Sequence, residues 1–377
     1  MDAAQLKSRA KRRRQIIQGL LIAVTVAVIY GAVESARVNL TALGITSGFG
    51  FLERSTGWSY SFSLIDRSIN DSYARTLTIG FLNTIFVGFL TIFLSTIVGF
   101  MVGTFRDARN PALKTAATVY TQIFRIIPLI LQGIFWYAIV IHLPGPRQAM
   151  SLGDGVFLSN RGLMVPLLNV PLWVALVLVL VLIGAVFLLR KARIGLAQSL
   201  IAWVGLLIFL LLGATGLFVP TGEGIISWPA LKGLRFVGGL TVSPELLVMI
   251  IAIVLYGSAY IAEVVRGGLA EVPKGLIEAG EALGLTQRAI WSRIKMPMAL
   301  RTIIPPLGNQ WIFIMKATTI GVAIGFSDLF YIVSTSITQS GQTLELIAIL
   351  MGAFLLVNFS IAQFVNWLNE SLKLKAH

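Results

Sequence analysis

No cysteine occurs in this chain of 377 residues, and only two histidines do. The missing thiols exclude a disulfide framework, a thiolate metal site and a cysteine nucleophile, and two histidines leave little material for a metal centre. Charge is scarce as well: Asp, Glu, Lys and Arg make up 12% of the residues, about half the share of roughly 25% in a soluble globular chain. With 56% hydrophobic residues and a mean hydropathy of +0.85, the composition excludes a soluble enzyme and describes a membrane protein. Acids are the scarcer sign, 16 against 30 bases, for a formal charge of +14. Such an excess suits nucleic acid when the bases cluster on a solvated face, which these do not. No glycine loop ending in Gly-Lys-Ser or Gly-Lys-Thr is present, so the chain has no cradle for nucleotide phosphates.

What the sequence has in abundance is long uncharged runs. A helix needs about 20 apolar residues to cross a bilayer core about 30 Å thick. Such runs cover 15–33, 76–105, 126–146, 162–189, 194–222, 246–262, 302–315 continuing past Lys316 to 327, and 346–369. They predict an all-α polytopic protein with eight spans. Pro166 and Pro171 move the start of the fourth helix to about Leu172. The first run follows six basic residues and lacks a clear small-x-small cleavage site, so it reads as an anchor. Placing the N-terminus inside puts 20 bases on the inner side and 8 on the outer, as the positive-inside rule asks. Both termini are then cytoplasmic, and the basic excess is explained by topology and lipid headgroups. The chain divides into an anchor and external segment (1–75), a first core pair of helices (76–146), an inserted pair with external loops (147–245), and a second core part (246–377). Within the second span, Gly99-Phe-Met-Val-Gly103 has the small-xxx-small spacing that lets helices approach closely.

The longest inner segment, about 263–301, has internal structure. Glu278-Ala279-Gly280-Glu281-Ala282-Leu283-Gly284 places good helix formers after Pro273 and Gly275. The pattern predicts a short helix, a turn at Gly284, and a second helical stretch ending at Pro297, all outside the membrane.

These residues carry a resemblance. Glu263-Val-Val-Arg266-Gly267, the stretch Val272 to Gly284, Ile294-Lys-Met-Pro297, Arg301 and Pro305 to Asn309 resemble the EAA loop of ATP-binding cassette importer permeases, in the polar amino-acid branch. Gly80-Phe-Leu-Asn83-Thr84 and Phe124-Arg125-Ile-Ile-Pro128-Leu-Ile-Leu-Gln132 are similar to the N-terminal core of that branch. The segment Gly44 to Arg54 and the extra spans at 172–222 resemble its longer members, the general L-amino-acid permeases. The resemblance implies a type I importer permease fold and a bacterial inner-membrane location. It implies import of L-amino acids, with broad specificity, handed over by a soluble periplasmic binding protein. ATP and Mg would sit on a separate ATPase dimer, engaged through Gly275, Glu278, Ala279 and Gly284. Leu276, Gly280, Met296 and Met298 depart from the branch's usual residues, and Gly280 costs the short helix about 1 kcal/mol relative to Ala.

Lys316 stands out because it lies roughly 20 Å along the helix from Thr302, where a charge costs about 2.5–3.5 kcal/mol on insertion scales and faces a cavity or partner. With Thr318 and Thr319 it is expected to line the substrate pathway. In the shorter permeases that this branch resembles, the residue after the lysine is acidic; here it is Ala317, which favours a second, non-identical permease that completes the site. Glu263 and Arg266 are spaced to pair on one helix face and, with Arg125 at the start of the third span, are candidates for a gate or a structural cluster. The alternatives are a self-sufficient secondary transporter, for which acids at depth are scarce, and an intramembrane enzyme, for which no paired carboxylates or Ser/His arrangement are present.

Overall fold

The computed structural model describes residues 3–42, 48–169, 226–233 and 235–372. The longer helices are α1 (Ala3–Ala42), α2 (Tyr73–Arg106), α3 (Pro111–Ile126), α4 (Leu129–Ile141), α5 (Pro244–Ala270), α6 (Lys274–Ala282), α7 (Met296–Ala317), α8 (Leu329–Ser340) and α9 (Thr343–Leu372). Of these, α1, α2, α5 and α9 are each long and apolar enough to cross a bilayer. Two bent pairs join them: α3 with α4 at 101°, and the helical path Gln287–Ile324 with α8 at 48°. Six of the eight expected spans thus have counterparts among the described residues. The helices expected at 172–189 and 194–222, and Lys373 and Lys375, lie outside the described residues.

Three local expectations are corrected. First, the run 126–146 does not make one straight helix, because Pro128 disfavours helical geometry at Ile127 and the path turns there. The buried Gln132 amide spans the turn, donating to the carbonyls of Phe124 (3.0 Å) and Ile127 (2.9 Å), groups a helix end leaves without partners. Arg125 therefore closes α3 and does not open the following span. Second, no helix ends at Pro297. A π-helical turn, Trp291–Lys295, leads straight into α7, of which Pro297 is the second residue; the change of helical type falls just before the proline, which has no N–H to continue the ladder.

Third, the fold is helical as expected but also carries β-structure, which among the described residues comprises eight short strands: β1 (Met150–Gly153), β2 (Val156–Ser159), β3 (Gly162–Val165), β4 (Leu167–Leu168), β5 (Ile226–Ser227), β6 (Ala230–Lys232), β7 (Arg235–Val237) and β8 (Leu240–Val242). One sheet has the order β1-β2-β3-β8, antiparallel throughout, with Leu163 opposite Val242.

The chain folds as two compact units. One holds Met1–Gly88, Leu300–Val322 and Ser327–His377; the other holds Phe89–Ala299 and Ala323–Phe326. In the first, Phe51, Tyr60, Tyr73, Leu77, Ile79, Leu329, Ile332, Val333 and Leu346 form a core. The buried Asn83 ties that core together, accepting from Leu64 N (3.1 Å) and donating to Phe62 O (3.1 Å) and Ser327 O (2.8 Å). Leu329 N donates to Thr84 Oγ1 at 2.9 Å. In the second unit, α3 and α4 pack along α5, and the distal part of α2 meets α5 through glycines: a Cβ built on Gly99 would lie 2.6 Å from Ile261 Cβ, and one on Gly103 would lie 2.8 Å from Ala262 O. Only hydrogen at those positions allows the backbones so close.

Candidate functional site

The segment between α5 and α7 begins at Glu271, whose N–H caps α5 by donating to Gly267 O. Val272 is buried and Pro273 precedes α6. The first turn of α6 needs no donor at its N-terminus, and a proline in front of it is compatible with that. Its end is set by Gly284 at φ +73°. Leu285 N donates to Gly280 O (3.1 Å) and Gly284 N to Glu281 O (2.9 Å), the paired bonds of a Schellman closure, in which the left-handed position favours glycine. Thr286 then opens the next turn, its hydroxyl accepting from Ala289 N.

The two faces of α6 differ. Gly280 is buried, and a Cβ there would lie 3.0 Å from Ile294 Cδ1 and 3.2 Å from Ile290 Cγ1; this face rests on the π-turn. Gly275, Glu278, Ala279 and Leu283 are exposed. Leu283 is 80% exposed and Leu276 41%, so an outward face mixes carboxylate with uncovered aliphatic surface. The departure at Gly280 from the branch's usual alanine sits on the inward face, where the close isoleucines leave little room for a methyl group.

In the last third of α5, Glu263 forms ion pairs with three arginines of three helices. Arg266 contacts Oε1 at 2.5 Å, Arg125 of α3 lies 3.4 Å from Oε2, and Arg106 of α2 pairs with the same Oε2. The Arg125 guanidinium also stacks on the Tyr260 ring, 5.0 Å from its centre. The structure thus brings Glu263, Arg266 and Arg125 together and adds Arg106.

Lys316 lies one residue from the end of α7 in the first unit and is exposed, with no carboxylate partner among the described residues. Of its two expected companions, Thr318 does not share its surface. Thr318 is fully buried and its hydroxyl donates to Met315 O (3.0 Å), while Thr319 is half-buried and donates to Lys316 O (2.9 Å). Asp107, Arg109, Gln287 and Lys295 had no part in the expected site, yet each makes a side-chain contact around the loop. One signal was available: Asp107 is the lone acid between Asp71 and Asp154, at a helix end otherwise rich in bases.

With four helices among the described residues long and apolar enough to cross a bilayer, and two bent pairs that join them, the chain is a polytopic membrane protein. The sequence profile of the family described as "binding-protein-dependent transport system inner membrane component" matches residues 171–374, and the chain belongs to that family. It is the permease subunit of an importer of the ATP-binding cassette type and an integral membrane protein. Among its relatives are YhdX of Escherichia coli K12, a provisionally named amino-acid ABC transporter permease, 37% identical over 96% of this chain and 94% of its own length. AapQ, a general L-amino acid transport system permease of Rhizobium johnstonii, is 34% identical over 97% of this chain and 93% of its own. BztB of Rhodobacter capsulatus, a glutamate/glutamine/aspartate/asparagine transport system permease, is 28% identical over 95% and 93%.

Proposed function

We propose that this permease imports L-amino acids with broad specificity across a bacterial inner membrane, as one of two non-identical permeases bound to an ATPase dimer that carries ATP and Mg. A soluble periplasmic binding protein delivers the substrate. Both termini are cytoplasmic and eight helices cross the bilayer, with 76–146 and 246–377 as the transport core and 147–245 as an insertion. The observation that carries this reading is the two-faced α6. Its inner face is seated on the chain's own π-turn, so the exposed Leu276, Glu278, Ala279 and Leu283 are left for another protein, and Gly275 and Gly284 bound that docking helix. The named substrates of relatives matched along nearly their whole length support the amino-acid part. Lys316 lines the pathway and contacts the substrate carboxylate or an acid of the second permease; Thr319 flanks it, and the buried Thr318 holds the helix end beneath it.

The test is co-expression with candidate neighbouring subunits, followed by purification through this chain. A soluble ATPase should co-purify, and a panel of amino acids with a binding protein should stimulate its hydrolysis. A chain that moves amino acids in vesicles with no ATPase attached would instead be a secondary transporter.

A further inference from the structure

The connector that follows α2 runs Arg106-Asp107-Ala108-Arg109, and its three charged side chains go to three different places. Arg106 pairs with Glu263 of α5. Asp107 accepts from Lys295 of the π-turn at 2.5 Å. Arg109 donates to Gln287 Oε1 (3.3 Å), and the Gln287 amide donates to Glu281 of α6 (2.7 Å). All of these residues belong to the second unit. The Asp107 and Lys295 side chains are 26% and 18% exposed, so the pair is partly withdrawn from water and less screened than a surface bridge. Lys295 also lies over the Trp291 ring, 5.3 Å from its centre, a second contact for the ammonium.

The topogenic reading explains the bases of this connector but not its acid, since acids contribute little to orientation. It also gives no reason for each side chain to end on a separate element. From these contacts we propose that Arg106, Asp107 and Arg109 form a relay that makes α6, the π-turn and the inner ends of α2 and α5 move as one body, so that displacement of α6 reaches the helix ends. Glu263 extends the relay to α3 through Arg125. These are positioning residues, and the inference rests on the reading of α6 as the ATPase docking helix. The Asp107–Lys295 tie is the part that can be exchanged most cleanly, because each partner has one opposite charge to meet.

The experiment uses the complete complex of both permeases, ATPase and binding protein. Asp107→Lys and Lys295→Asp are made singly and together. Each single variant should retain the ATPase and its unstimulated hydrolysis, while stimulation by the loaded binding protein falls about tenfold, within the range of ordinary coupling free energies. The double exchange should restore most of the stimulation. A merely structural pair would lower assembly and unstimulated hydrolysis together with the stimulated rate. Because the chain has no cysteine, Asp107→Cys with Lys295→Cys provides a second arm that survives if a charge variant fails to assemble. Stimulation should be low in the unlinked cysteine pair and return when a short bismaleimide bridges it. Full stimulation in the single variants, no recovery in the exchange, or a bridged complex that is inactive would each overturn the relay; the last would show that the contact must open during transport. Failure of the unaltered chain to retain any ATPase would instead overturn the docking reading, and is seen before any variant is made.

Discussion

At the end of α7, the exposed Lys316 stands between the buried Met315 and Ala317. The carbonyl end of a helix favours a cation by about 0.3–1 kcal/mol, less than the insertion cost of roughly 2.5–3.5 kcal/mol. In the proposed pathway, where no described side chain supplies an anion to Lys316, the substrate carboxylate would close that gap. Lys316→Met keeps the volume and removes the charge. It should leave the complex assembled and reduce substrate-stimulated ATP hydrolysis about tenfold or more, equally for substrates with different side chains. A loss confined to acidic amino acids would mean that the lysine reads the side chain. Gly284 poses a different residue-scale test. At φ +73°, Gly284→Ala should cost about 1 kcal/mol through left-handed strain and Gly284→Asn less. The readout is proteolysis at the loop together with ATPase retention, and an unaffected Gly284→Ala would remove the Schellman closure from the explanation of how α6 ends.

At the scale of elements, the glycine face of α2 should be its most fragile feature. Changing Gly99 and Gly103 to Ala places methyl groups against Ile261 Cβ and Ala262 O. Overpacking of this kind costs about 1–3 kcal/mol, so the detergent-solubilised double variant should melt lower than Gly19→Ala, a site with nothing within 4 Å. Equal melting would show that α2 and α5 tolerate separation. The Gly99/Gly103 spacing was legible in the sequence because close packing in lipid depends on residue size alone. The long helices were legible too, since an uninterrupted apolar run in a bilayer has few other structures open to it. The break between α3 and α4 was not, although Pro128 marked it, because hydropathy continues across the turn. The hairpins were missed for a related reason. Asp154-Gly155 is a turn signal, and Gly155 adopts φ +74°, but 20-residue apolar runs say nothing of strands of two to four residues.

For the whole molecule, side-chain partners were the least legible level. Glu263 and Arg266 could be paired from their spacing on one helix and Arg125 was grouped with them, whereas Arg106 and Lys295 meet acids far away in sequence and looked like topogenic charges only. The orientation itself is testable. A reporter fluorescent only in the cytoplasm should light at the C-terminus and at position 192 and stay dark at 230; light at 230 would overturn the order of spans. The central claim is that the outward face of α6 is where the ATPase sits. Single cysteines placed at Leu276, Ala279 and Leu283, and at the inward Gly280 and Ile290 as controls, can be introduced into a chain that has none of its own. Labelling each with a thiol-reactive reagent, with and without the ATPase bound, measures the contact directly. The expected result is protection at Leu276, Ala279 and Leu283 when the ATPase is present, and no change at Gly280 and Ile290. Equal labelling of the outward positions in its presence and absence would contradict the assignment of α6 as the docking helix.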